Sequence, residues 1–137
     1  MLEFTKKILL VFFVFVIPFA VKGNSDTLKE EHIHMIAEIA PQFPGGEDSL
    51  RMFIRWNLRY PAQGGLPEEG TVFVTFVVEI DGSLSNIEVL RGLHGALDPE
   101  AIRVVKLMPN WIPGKTRGKA VRTRFIMPIR FDIRHWR

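Results

Sequence analysis

A chain of 137 residues, 47% hydrophobic and 24% charged, is long enough for one domain with a real core and too short for two. It has no cysteine, which excludes a disulfide framework, thiolate zinc sites and a cysteine-anchored lipid. The formal charge of +3 falls to +1 if Lys6, Lys7, Lys22 and Glu3 leave with residues 1–23, too little to point to nucleic acid or an anionic membrane.

Those first residues, MLEFTKKILLVFFVFVIPFAVKGNS, read as an export signal. Lys6 and Lys7 form the positive flank, Ile8 to Ala20 the apolar run, and Val21-Lys22-Gly23 the cleavage site. The rival is an uncleaved membrane anchor. The run is shorter than the ~20 apolar residues of a spanning helix, and Pro18 interrupts it. Residues 24–43 form an N-terminal lead, in which Ile33, Met35 and Ala37 alternate with His34, Ile36 and Glu38, an added strand at most. His32 and His34 share a face there, but no further ligand cluster completes a metal site.

Pro41 to Gly46 reverses the chain into a helix whose Leu50, Phe53, Ile54, Asn57 and Leu58 form one face. Glu47 and Asp48 suit its first turn, Arg51, Arg55 and Arg59 line its outer face, and Pro61 stops it. Trp56 lies off the stripe and reads as a core-edge residue covering the sheet. From Thr71 to Ile80 the residues alternate with period two, Asp81-Gly82 supplies a tight turn, and Ile87 and Val89 mark the returning strand.

Asp98 reads as the N-cap of a second helix, with Pro99 at its first position and Ala101, Val104, Val105 and Met108 as its buried stripe. His94, in the preceding loop, has no nucleophile beside it in the sequence. Ile112-Pro113-Gly114-Lys115 reads as a turn before an exposed basic loop, KTRGK. In the last strand Val121, Thr123, Phe125, Met127, Ile129, Phe131 and Ile133 take one face, and Arg122, Arg124, Ile126, Pro128, Arg130 and Asp132 the other. A proline cannot donate to a ladder, so Pro128 belongs on an edge strand.

The expected fold class is α+β: a two-layer, three-stranded antiparallel sheet, with the N-terminal strand as a possible fourth, covered on one face by two helices. A strand–helix–strand crossover makes the last strand parallel to the second, so Thr71–Ile80 is central and the 121–133 strand keeps a free edge.

In this order YPAQGG, EGTVFVTFVVEIDGSLSNIEVL, LDPEAIRVV, WIPGK and MPIRFDI resemble the TonB C-terminal domain, over roughly Pro44 to Ile133 within residues 44–137. The resemblance implies a periplasmic module that engages an outer-membrane TonB-dependent transporter. A short extended segment of the transporter, the TonB box, would join the sheet beside the final strand. Carried onto this chain, the partner-binding residues are Tyr60, Pro61, Arg122, Thr123, Arg124, Phe125, Ile126, Met127 and Arg130. Asp81, Gly82, Pro113 and Gly114 are the structural turns. The lead from Gly23 to Ile33 reaches at most ~35 Å, so a stand-alone exported module is expected. The alternative is a structural module forming a homodimer through the same edge. No cofactor or metal is implied, and no Ser-His or paired-acid constellation points to an enzyme.

Overall fold

The computed structural model describes residues 32–61, 69–93 and 95–136. The export-signal reading and His94 lie outside them. The described residues belong to one compact unit. Its elements are α1 (Gly46–Asn57), β1 (Gly70–Val78), β2 (Leu84–Arg91), α2 (Leu97–Lys106), β3 (Gly114–Thr116), β4 (Lys119–Val121) and β5 (Thr123–Phe131), followed by a 3-10 turn over Ile133–Trp136.

The main sheet has the order β2-β1-β5, with β1 antiparallel to both neighbours. It is the expected α+β, three-stranded antiparallel arrangement with two helices. The period-two pattern of β1 dictates the core: Val72, Val74, Phe76 and Val78 are wholly buried, and register sets them beside Ile129, Met127, Phe125 and Thr123 of β5. Leu97, Ala101, Val104 and Val105 of α2 close over the same face. The β1–β2 ladder slips twice, and Asn86, at φ 48°, occupies one of the bulges.

Helix α1 sits differently. It contributes no fully buried residue, although Leu50, Phe53 and Ile54 pack against the core. It begins on a pair of glycines, Gly45 as N-cap and Gly46 as its first residue, whose φ values of 85° and 83° account for the Pro-Gly-Gly entry. Trp56 is 75% exposed, correcting the core-edge expectation. At 100° per residue it lies about 160° from the core-facing direction of Ile54, so its ring points away from the sheet.

The hairpin turn forms as read. Gly82 takes φ 86°, Asp81 accepts hydrogen bonds from the amide and hydroxyl of Ser83 at 2.9 and 2.6 Å, and the Gly82 carbonyl accepts the Trp111 amide at 2.8 Å. Two local readings need correction. Asp98 does not cap α2, which starts one residue earlier; its carboxylate accepts the Leu93 amide at 2.9 Å and so braces the preceding loop. Pro113-Gly114 is not a turn: Ile112 bridges to Gln42, and Gly114 opens β3. The reversal falls instead at Arg117-Gly118, where φ values of 52° and 73° make a tight hairpin of the basic loop.

Candidate functional site

The site is the outer edge of β5. Its amide directions follow from one observed bond: the Arg124 amide donates away from β1 to the His34 carbonyl at 2.9 Å. Because residues in an antiparallel strand alternate sides, Ile126, Pro128 and Arg130 also face outward, and Phe125, Met127 and Ile129 face β1. Pro128 therefore places its missing N–H on the open side, where it costs the ladder nothing.

The lead from His32 onward lies across the start of this edge as a strap, without forming a fourth strand. His34 makes a single parallel bridge to Thr123, donating its own amide to the Arg122 carbonyl at 2.8 Å. The strap then leaves β5: Ile39 exchanges two bonds with Lys115, both 2.9 Å, and Gln42 two with Ile112, 3.0 and 2.8 Å. Glu38 accepts the Arg117 amide at 3.0 Å. Beyond Arg124 the strap no longer follows the edge. The main-chain groups of Ile126 and Arg130 and the Pro128 carbonyl have no main-chain partner among the described residues.

Between this open edge and α1 runs a groove in two contiguous parts. One, about 500 Å³, has Phe43, Leu50, Ile54, Trp111 and Phe125 among its walls. The other, about 400 Å³, is lined by Ile54 and Leu58 with Arg51, Arg55, Arg130 and Asp132 at its rim. Both include Arg51, Ile54 and Pro128. The apolar wall is rigid because Trp111 is clasped edge-on by Phe43 and Phe76 and packs on Phe125, with ring centroids 5.1–5.8 Å apart.

The structure sorts the expected partner-binding residues. Thr123 is buried, bridged to the strap; Arg124, Phe125, Ile126, Met127 and Arg130 line the edge or its flank. Arg122 is engaged elsewhere, its guanidinium forking onto Glu79 at 2.6 and 3.0 Å while its carbonyl holds the strap. That pair holds the Glu79 carboxyl below its ordinary value, with the Arg122 hydrogen bond the leading cause. Tyr60 stacks edge-on to Phe131 at 6.3 Å, at the far end of β5, with Pro61 beside it. That corner is fixed by Glu100, which binds the Arg59 amide and Arg103 at 2.6 Å each, while Arg103 reaches the Asn57 carbonyl at 2.6 Å.

Sequence reasoning missed Arg51 and Arg55 as site residues, having assigned them to a solvated helix face. Their spacing of four, on the flank beside Ile54 and Leu58, was the available signal. Arg51 is paired with Asp48 at 2.7 Å, whereas Arg55 has no acidic partner among the described residues.

A two-layer α+β module with an open sheet edge and a flanking groove has the build of a protein-interaction domain. The family model described as Gram-negative bacterial TonB protein C-terminal matches residues 56–133, more than half of the chain, and the chain belongs to that family. No curated protein and no solved structure matches it. The family is one of protein-interaction domains that engage outer-membrane transporters, not a family of enzymes, and membership implies a periplasmic location. No helix among the described residues is long and apolar enough to cross a membrane.

Proposed function

We propose that this protein is a binding module of TonB-type transport which captures an extended segment of an outer-membrane transporter by strand addition along β5. The observation that carries the reading is the stretch Ile126–Arg130, whose outward main-chain groups have no main-chain partner among the described residues and lie beside an apolar groove. Strand addition takes its affinity from such groups and its specificity from pockets for alternate side chains. The strap sets the start of the usable ladder, because it already holds Arg122 and Arg124. Within Ile126–Arg130 the edge offers two amide donors and three carbonyl acceptors, since Pro128 supplies only a carbonyl. The incoming segment is thus about five residues long and carries no proline where its own amides meet those carbonyls.

The test is titration with TonB-box peptides, read by amide hydrogen exchange. Slowed exchange at Ile126 and Arg130 is the expected result. Absence of binding up to about 1 mM peptide, a weak limit for a specific contact, counts against the proposal. Self-association through the same edge is the second reading, favoured by the same outward groups. It requires a mass that rises with concentration and falls back on adding the peptide.

A further inference from the structure

The outward main-chain groups of β5 fall on alternate residues, so the row presented by Ile126, Pro128 and Arg130 continues upstream through Arg124 and Arg122. That upstream part is occupied by the chain's own strap. His34 holds it with two main-chain bonds, donating its amide to the Arg122 carbonyl at 2.8 Å and accepting the Arg124 amide at 2.9 Å. Among the described residues no other main-chain bond joins the strap to β5. The segment that makes this contact buries little: Met35 is 65% and Ile36 87% exposed, while Ile33, His34 and Ala37 are half-buried. Further along, the strap is held more firmly. Ile39 and Gln42 share four main-chain bonds with Lys115 and Ile112, Glu38 accepts the Arg117 amide, and Pro41 and Phe43 are buried. Ala37 marks the boundary, so close to Gly114 that a Cβ added there would lie 3.1 Å from its methyl group. A segment pinned at one end and held by two bonds at the other opens locally, without unfolding the core.

We infer that residues 32–37 are a displaceable cover on the upstream part of the β5 edge, which a bound segment longer than about five residues must lift. This rests on strand addition along β5 as the mode of binding. The cover acts by exchange. A longer segment reaches the Arg122 carbonyl and the Arg124 amide only by breaking the two bonds those groups make to His34, so added length in that direction brings no affinity while the strap is down. In the free protein the cover also shortens the edge left open to unwanted pairing.

Two measurements test it. In the free protein the Arg124 amide should exchange at least about tenfold faster than that of Met127, which faces β1. Equal protection of the two overturns the inference without any peptide. The second measurement titrates a five-residue TonB-box segment and two nine-residue versions of it, extended at one end or the other, since a strand can run either way. On the parent, the version extended toward Arg122 should bind no more tightly than the five-residue core. His34→Pro deletes the donor to the Arg122 carbonyl, at a half-buried position outside the core cluster. On that variant the same version should gain at least about fivefold, the worth of one main-chain bond, and the five-residue core should gain nothing. A gain shared by all three peptides, or by none although they bind, overturns the inference and leaves strand addition standing. If no peptide binds and the Ile126 and Arg130 amides stay unprotected, strand addition fails and the inference falls with it.

Discussion

Exchanging Ile126 for proline separates the two sides of β5. The Ile126 amide points away from β1, as Arg124's does, so Ile126→Pro deletes a donor that has no main-chain partner among the described residues. The side chain is already 48% exposed. Trimming it to a proline ring loses about 0.5–1 kcal/mol of burial, and the stiffer unfolded chain returns a similar amount, about 0.4–1 kcal/mol. Pro128, two residues along in the same strand, shows that the ring fits the local backbone. The net change in stability is expected to stay within about 1 kcal/mol. Met127→Pro is the control. Its amide faces β1, its side chain is 2% exposed, and its neighbours are Val74 and the core. Loss of the side chain costs about 2–3 kcal/mol and the ladder break about 3 more, comparable with the whole stability of a small domain. Urea unfolding of both variants, with peptide titration of Ile126→Pro, reads the outcome. The expected pattern is a folded Ile126→Pro with at least about tenfold weaker peptide binding, the equivalent of one lost hydrogen bond and a clash, and an unfolded Met127→Pro. If Ile126→Pro unfolds like its neighbour, the assignment of sides is wrong. If it folds and binds peptide undiminished, the edge is not the docking ladder.

Gly82→Ala should cost at least about 3 kcal/mol in urea melts, because φ 86° opposes any Cβ and the added atom would lie 2.0 Å from the Trp111 carbonyl oxygen. A loss under 1 kcal/mol would show that the hairpin and the Trp111 loop can move apart. Arg122 holds the Glu79 carboxyl below its ordinary value of 4.5, so the pair's stabilisation is complete above that pH and is lost as pH falls through the lower folded value. Glu79→Gln should therefore be less stable than the parent at pH 7, by about 1–2 kcal/mol, with the gap closing below pH 4.5; a gap that widens on acidification would contradict the pairing. Glu100→Ala strips partners from Arg103 and the Arg59 amide together, at a site where its side chain is only 10% exposed. About 2–3 kcal/mol should go, with faster amide exchange at Arg59, and unchanged exchange there would refute its role in holding the Tyr60 corner.

Much of the fold was readable because its signals are local. Alternation at Val72–Val78 named both strand and core face, and Asp81-Gly82 named the turn. Pro128 announced an edge from one missing donor. Where the reading failed, a distant partner had overruled a local preference. Asp98 has every mark of an N-cap, but the Leu93 amide competes for it. Pro113-Gly114 looks like a turn, but Gln42 straightens that segment into a bridge before β3. Arg122 looks free on a strand face until Glu79, 43 positions away, claims it. The strap's weak alternation hinted at a strand; single bridges to Thr123, Lys115 and Ile112 were what formed.

The sequence alone determined the α+β class, the antiparallel order about β1 and which side of β5 is apolar, since each depends on side-chain period and turn chemistry within a few residues. Tertiary structure decided how much of the β5 edge stays open and what borders it. The strap stops at Arg124, and α1, half-buried rather than sealed against the sheet, leaves a groove with arginines at one end. Those outcomes turn on where segments remote in the chain come to rest, and hydrogen-bond competition and packing between them are not encoded in any local period.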